Sequence, residues 1–186
     1  PVGGGSATRY VVNTPSTQLN DIDVNSSGIV YMACPTTQSV IRFNPNNSSD
    51  TQLLFTGATA ISPVGIALDN SGNLYVADTI SSKIIKYNGS TGEKLLEFNG
   101  TGTSGGGSAF TALADVAIDS RNGDIYVAGK SSSGTRLFRY NSAGNFINAV
   151  SNADFTSPDK MAVRSNGDVL VVDRAKKAVM VFDAGK

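Results

Sequence analysis

The chain's stock of reactive side chains is short. Its 186 residues include no histidine and a single cysteine, so neither a Ser-His nor a Cys-His pair can form. Zinc, or any metal that prefers imidazole and thiolate, has no ligand set. Cys34, alone in the apolar stretch YMAC, cannot make an intrachain disulfide and reads as a small buried hydrophobe. Carboxylate and amine chemistry remains. Asp78 and Asp173 each close an apolar run, where a side chain can either touch a ligand or cap a loop. Lys130, Arg174, Lys176 and Lys177 come just after runs of the same kind and make one sector locally basic or merely solvated. The stretch DSRNGD, Asp119 to Asp124, has the acidic ends and inner glycine of a calcium loop. Corresponding places read NSSG and NSGN without the acidic pair, which favours an Asx turn throughout. With these side chains alone, no catalytic residue, no metal and no cofactor is expected. The chain then reads as a non-enzymatic module whose candidate ligand contacts are Asp78, Lys130, Asp173, Arg174 and Lys176.

These residues recur because the sequence does. VGIALDNSGNLYVAD, from Val64, returns as LNDIDVNSSGIVYMAC from Leu19, LADVAIDSRNGDIYVAG from Leu113 and DKMAVRSNGDVLVVD from Asp159. Each copy continues into a second apolar run: SVIRFN at Ser39, KIIKYN at Lys83, RLFRYN at Arg136 and AVMVFD at Ala178. Tyr31, Tyr75, Tyr126 and Leu170 mark the same point in the four copies, spaced 44, 51 and 44 residues apart. A period of that size suits a four-stranded propeller blade. The runs are rich in Val, Ile, Tyr and Phe, and Asn-, Ser- and Gly-rich clusters part them, which is strand-and-hairpin patterning. A fourth strand comes next as TQLLF, KLLEF and FINAV in three copies but not in the last. The unpaired segment Arg9, Tyr10, Val11, Val12 is strand-like and can supply that missing edge, within the chain or in a neighbouring copy. The expected fold is all-β, one domain of four blades with repeats near 15–56, 57–99, 108–151 and 155–186.

The repeats resemble the NHL family, whose pattern runs Pro-x-Gly-Ile-Ala-x-Asp, two polar residues, Gly-Asn-x-Tyr-Val-Ala-Asp, a loop, then Ile-x-x-Phe. Pro63 to Tyr87 fits best, and the glycine-rich FNGTGTSGGGSAF from Phe98 resembles the run that often precedes such a repeat. The pattern breaks in two copies. The third has Leu113-Ala114-Asp115 where Pro-x-Gly is expected and Gly129 in place of the closing Asp, and the fourth has Asp159-Lys160 after Pro158. The resemblance implies a β-propeller, commonly of six blades, so four repeats mean a small ring, a fragment or an assembly. The lyases of this family imply catalytic histidines, which this chain lacks.

Charge narrows the partners. Lys plus Arg equals Asp plus Glu at 15 each, so no long-range field draws in polyanions, and nucleic acid is not expected. No stretch suits a membrane span. The polar but weakly charged surface points to an extracellular or cell-surface setting, with a protein, or a second copy donating the Arg9–Val12 strand, as partner. An RNA-binding propeller and a fragment of a lyase or hydrolase propeller are the alternatives.

Overall fold

The computed structural model describes residues 9, 18–47, 49–54, 60–150 and 153–183. Each repeat becomes one antiparallel sheet with strands in chain order. Blade 1 holds β1 (Asp21–Val24), β2 (Val30–Cys34), β3 (Ser39–Phe43) and β4 (Thr51–Leu54). Blade 2 holds β5 (Pro63–Leu68), β6 (Asn73–Asp78), β7 (Lys83–Asn88) and β8 (Lys94–Phe98). Blade 3 holds β9 (Phe110–Ile118), β10 (Ile125–Ser131), β11 (Gly134–Tyr140) and β12 (Phe146–Val150). Blade 4 has three strands among the described residues: β13 (Pro158–Val163), β14 (Val169–Asp173) and β15 (Ala178–Phe182). The first strands β1, β5, β9 and β13 line a common cavity, so they face the axis and the blades radiate from it.

The hairpin joining the first two strands of each blade is built from side-chain acceptors. In blade 2, Asp69 Oδ1 accepts the N–H groups of Ser71 and Asn73 at 3.0 and 2.9 Å. Gly72 then takes a φ of 76°, the left-handed region that an L side chain rarely adopts. Blade 3 repeats the device with Asp119 accepting the Arg121 N–H at 3.0 Å, while Asp124 pairs with Arg139 at 2.6 Å. These turn bonds are the Asx geometry that the sequence favours over a calcium loop.

Blades are glued face to face. Tyr31, Ala33 and Val40 of blade 1 pack on Ile66, Leu74, Val76 and Ile85 of blade 2. Tyr75, Ala77 and Ile84 of blade 2 meet Val116, Val127 and Phe138 of blade 3. Tyr126, Ala128 and Leu137 of blade 3 meet Val169 and Val171 of blade 4. In the first three blades the tyrosine pairs across the strands with Arg42, Lys86 or Arg139. Each of those cations also pairs with a carboxylate, of Asp50, Asp69 and Asp124 in turn. They are half-buried links, with Lys86 4.9 Å from the Tyr75 ring centre. Blade 4 replaces the pair by Leu170 and Val181. Its corresponding face stays open, with Val172, Val179 and Val181 exposed.

Candidate functional site

The rim residues singled out by type sit on three different blades. Asp78 is buried, and its Oδ1 accepts N–H bonds from Ser62 at 2.7 Å and Ile80 at 3.1 Å while Oδ2 accepts one from Ser81 at 3.1 Å. Asp173 does the same job in blade 4, accepting from Thr156 at 2.7 Å, Ser157 at 2.9 Å and Lys176 at 3.0 Å. Burial pushes the Asp173 carboxyl up, but the backbone N–H groups of Ser157, Thr156, Lys176 and Ala175 outweigh it and hold the pKa below the ordinary value. Both carboxylates cap loops. Arg174 pairs with Asp159 at 2.7 Å and Lys176 with Asp154 at 2.9 Å, so these two charges are answered locally. Lys130 is exposed near the end of β10. Arg9 is exposed and outside any strand, and Tyr10, Val11 and Val12 lie outside the described residues.

The arrangement capable of chemistry lies on the axis, where the repeat pattern breaks. Register places Asp21, Gly65 and Asp115 at one level, opposite Ala33, Ala77 and Ala128. Lys160 fills the matching place in blade 4, just before Met161, within the irregular stretch of β13. Asp115 has a side chain only 3% exposed, and its Oδ2 accepts the Met161 N–H at 2.8 Å. Its Oδ1 has no hydrogen-bond donor. Lys160 Nζ stands 3.7 Å from that oxygen, close enough for Coulomb attraction and too far for a hydrogen bond. The amine instead donates to the Val64 carbonyl at 2.6 Å and lies 3.3 Å from Asp21 Oδ2, which also accepts the Ile66 N–H at 2.8 Å.

Asp115 fits because position 65 is glycine. A Cβ there would lie 2.1 Å from Asp115 Oδ1 and 2.8 Å from its Cα, a collision that backbone cannot relieve cheaply. Burial pushes the Asp115 carboxyl up to about 8; Lys160 opposes the rise, and the neighbouring Asp21 charge adds to it. A carboxyl in that range changes protonation near neutral pH, which suits proton transfer.

One level along the axis come Asp23, Ala67, Ala117 and Ala162, and the small alanines leave a chamber of about 310 Å³. Lys160 also lines an outer mouth of about 630 Å³ that includes Asp159, Arg174 and Leu113. The amine therefore stands between mouth and chamber. Among the described residues no three His, Cys, Asp or Glu side chains cluster as metal ligands. Asp115 and Lys160 are legible in the sequence as departures from Pro-x-Gly. Without the blade register nothing shows that the departures meet Asp21 on one axis.

No family model matches the chain. It is 27% identical over 132 residues to the probable peptidyl-alpha-hydroxyglycine alpha-amidating lyase pgal-1 of Caenorhabditis elegans, a match that spans 66% of this chain and 37% of that protein. Among solved structures it superposes with a TM-score of 0.68 and 12% identity on a catalytically inactive histidine-to-alanine variant of virginiamycin B lyase from Staphylococcus aureus, bound to quinupristin, covering 98% of this chain and 61% of that one. A chain of the nidogen/laminin complex gives a TM-score of 0.66 at 13% identity, covering 91% and 66%. The chain thus spans little more than a third of the curated lyase. The expectation of a non-catalytic module is corrected here: the relative that aligns by sequence is a lyase. Residue-type reasoning looked for histidine, whereas the group with the raised pKa on the axis is a buried carboxyl.

Proposed function

We propose that the four blades belong to a lyase-type β-propeller of NHL character and that the axial residues Asp115, Asp21 and Lys160 carry its acid–base chemistry. The observation that carries this reading is the buried Asp115 carboxyl, protonated up to about pH 8, facing an ionisable partner across the axis. For a peptidyl-α-hydroxyglycine, the substrate class in the relative's name, cleavage needs one base and one acid. The Asp21 carboxylate takes the hydroxyl proton, the C–O bond gains double-bond character, and the C–N electrons leave with nitrogen. Asp115 gives that nitrogen its proton, so an amide and glyoxylate result. Lys160, at the outer mouth, supplies the positive charge that holds the substrate's carboxylate. The weakly charged surface and glycine-rich turns support an extracellular setting for this activity.

Incubating the protein with a peptide ending in α-hydroxyglycine and following glyoxylate release tests the reading. Turnover is expected, and Asp115→Asn is expected to lower kcat by about 100-fold or more. Turnover no faster than buffer, or an Asn variant as fast as the parent, would sink it.

A second reading, protein docking, draws on the exposed aliphatic face of blade 4, Val172, Val179 and Val181. If sedimentation shows the protein as a monomer both before and after Val179→Glu, self-association through that face is excluded.

A further inference from the structure

The first strands of blades 2 to 4 slip in register at the end that opens on the outer mouth. Each takes one extra residue against its second strand: between Pro63 and Gly65, between Leu113 and Asp115, and between Pro158 and Met161. Such bulges re-aim a side chain. The extra residue is Val64 in blade 2, Ala114 in blade 3 and, since Lys160 stands level with Gly65 and Asp115, Asp159 in blade 4; all three line the mouth. Blade 4 thus brings a carboxylate where the other two bring an apolar side chain. Asp159 Oδ2 accepts the Arg174 Nε–H at 2.7 Å. Among the described residues, Asp159 Oδ1 and the two terminal guanidinium nitrogens of Arg174 have no partner, so an acceptor and donors stand side by side at the mouth. An ion pair this exposed adds little to stability, so structure alone does not account for the break in the repeat.

We infer that Asp159 and Arg174 position the substrate by holding the residue that precedes the hydroxyglycine: Asp159 Oδ1 accepts its backbone N–H, and the Arg174 guanidinium donates to its backbone carbonyl. In an extended chain the N–H and C=O of one residue point to the same side, as they do in an antiparallel ladder, so a neighbouring acceptor and donor can take both. The inference rests on the lyase reading in one respect, that the substrate's carboxylate sits at Lys160. From that carboxylate carbon the N–H in question lies at most about 7 Å away. Asp159 directly precedes Lys160, and both line the mouth. The site therefore takes peptides rather than small hydroxy acids, because the ligand needs an N-acylated residue ahead of the one that carries the carboxylate.

Binding is measured by calorimetry on the whole chain with N-acetyl-alanyl-glycine, which has the peptide groups but no hydroxyl to react, and with O-acetyl-lactoyl-glycine, in which an ester oxygen replaces the one N–H. The ester is expected to bind about tenfold more weakly, the worth of a hydrogen bond to a charged group. Asp159→Ala, which gives blade 4 the side chain that blade 3 has in Ala114, should bind the two ligands alike. Arg174→Ala should weaken both by about tenfold. With the hydroxylated peptide, Asp159→Ala should raise KM and leave kcat within about twofold, a split that loss of structure would not give. If Asp159→Ala does not fold, the parent's two affinities and Arg174→Ala decide. No saturable binding of the amide, an ester that binds as well, an Asp159→Ala variant that still tells the two apart, or an Arg174→Ala variant that binds like the parent would each overturn the inference. Preference for the amide without any glyoxylate release would strike the lyase reading only, and glyoxylate release without that preference would strike this inference only.

Discussion

The rim and the axis of this propeller use the same side chain to opposite ends. At the rim, Asp78 and Asp173 are surrounded by N–H donors and are consumed in holding loops. At the axis, Asp115 is as deeply buried but receives a donor on one oxygen only. Burial pushes the carboxyls of both Asp173 and Asp115 up, but backbone N–H groups outweigh it at Asp173 and do not at Asp115. A carboxylate saturated with donors is structural. A starved one becomes protonated near neutrality and chemically available.

Single substitutions put that contrast at risk. Gly65→Val should have the largest effect, because its Cβ runs into the Asp115 backbone as well as the carboxyl. A loss of about 3 kcal/mol is expected in urea unfolding, and a loss under about 1 kcal/mol would mean that Asp115 is not pressed against β5. Asp78→Ala comes next. It strands the Ser62, Ile80 and Ser81 N–H groups and should cost about 2 kcal/mol; a near-neutral result would show that the rim carboxylate is not structural.

Asp115→Asn should behave differently, with a sign that depends on pH. The folded pKa of Asp115 lies above its unfolded value of 3.8, so its contribution to stability is present below about pH 4 and drains away as pH climbs towards 8. Asparagine does not ionise, so the variant should gain on the parent through that window and exceed it by about 1 kcal/mol at roughly pH 9. Parallel stability profiles for the two proteins from pH 4 to 9 would contradict the raised pKa. The smallest effect belongs to Arg174→Ala. Its pair with Asp159 is 73% exposed on the arginine side, and such pairs contribute about 0.5 kcal/mol or less, falling with salt. Unfolding with and without added salt measures it.

Features differ in how far the sequence reveals them, according to the kind of information each one needs. The four blades arise from local repetition, since each copy carries its own alternation and its own polar, glycine-containing turn. The loop-capping alternative for Asp78 and Asp173 is also visible, because the same Asp closes the same strand in two copies. The blade 4 face is half visible: Leu170 and Val181 stand where other blades have tyrosine and a cation, but whether that face is exposed depends on which neighbour packs against it in space. The axial site is hidden for a sharper reason. Asp21, Asp115 and Lys160 come from three blades and meet only once each sheet's register aims them inward. In the sequence the breaks at Asp115 and Lys160 look like decay of a pattern, whereas in the fold they converge on one chamber. Residue-type rules that look for histidine also pass over a buried carboxyl such as Asp115.

The bond from Lys160 to the Val64 carbonyl joins residues 96 positions apart and skips blade 3 altogether. It acts as a chord drawn across the arc. Neighbouring blades can zip together one after another as the chain collapses, but this tie forms only when blades 2 and 4 already stand at their final separation. Its sequence separation makes it an entropically costly, late contact. Assembly of the axial cluster of Asp21, Asp115 and Lys160 is thereby deferred until the surrounding architecture is complete, and a misfolded or partly unwound arc would not hold it.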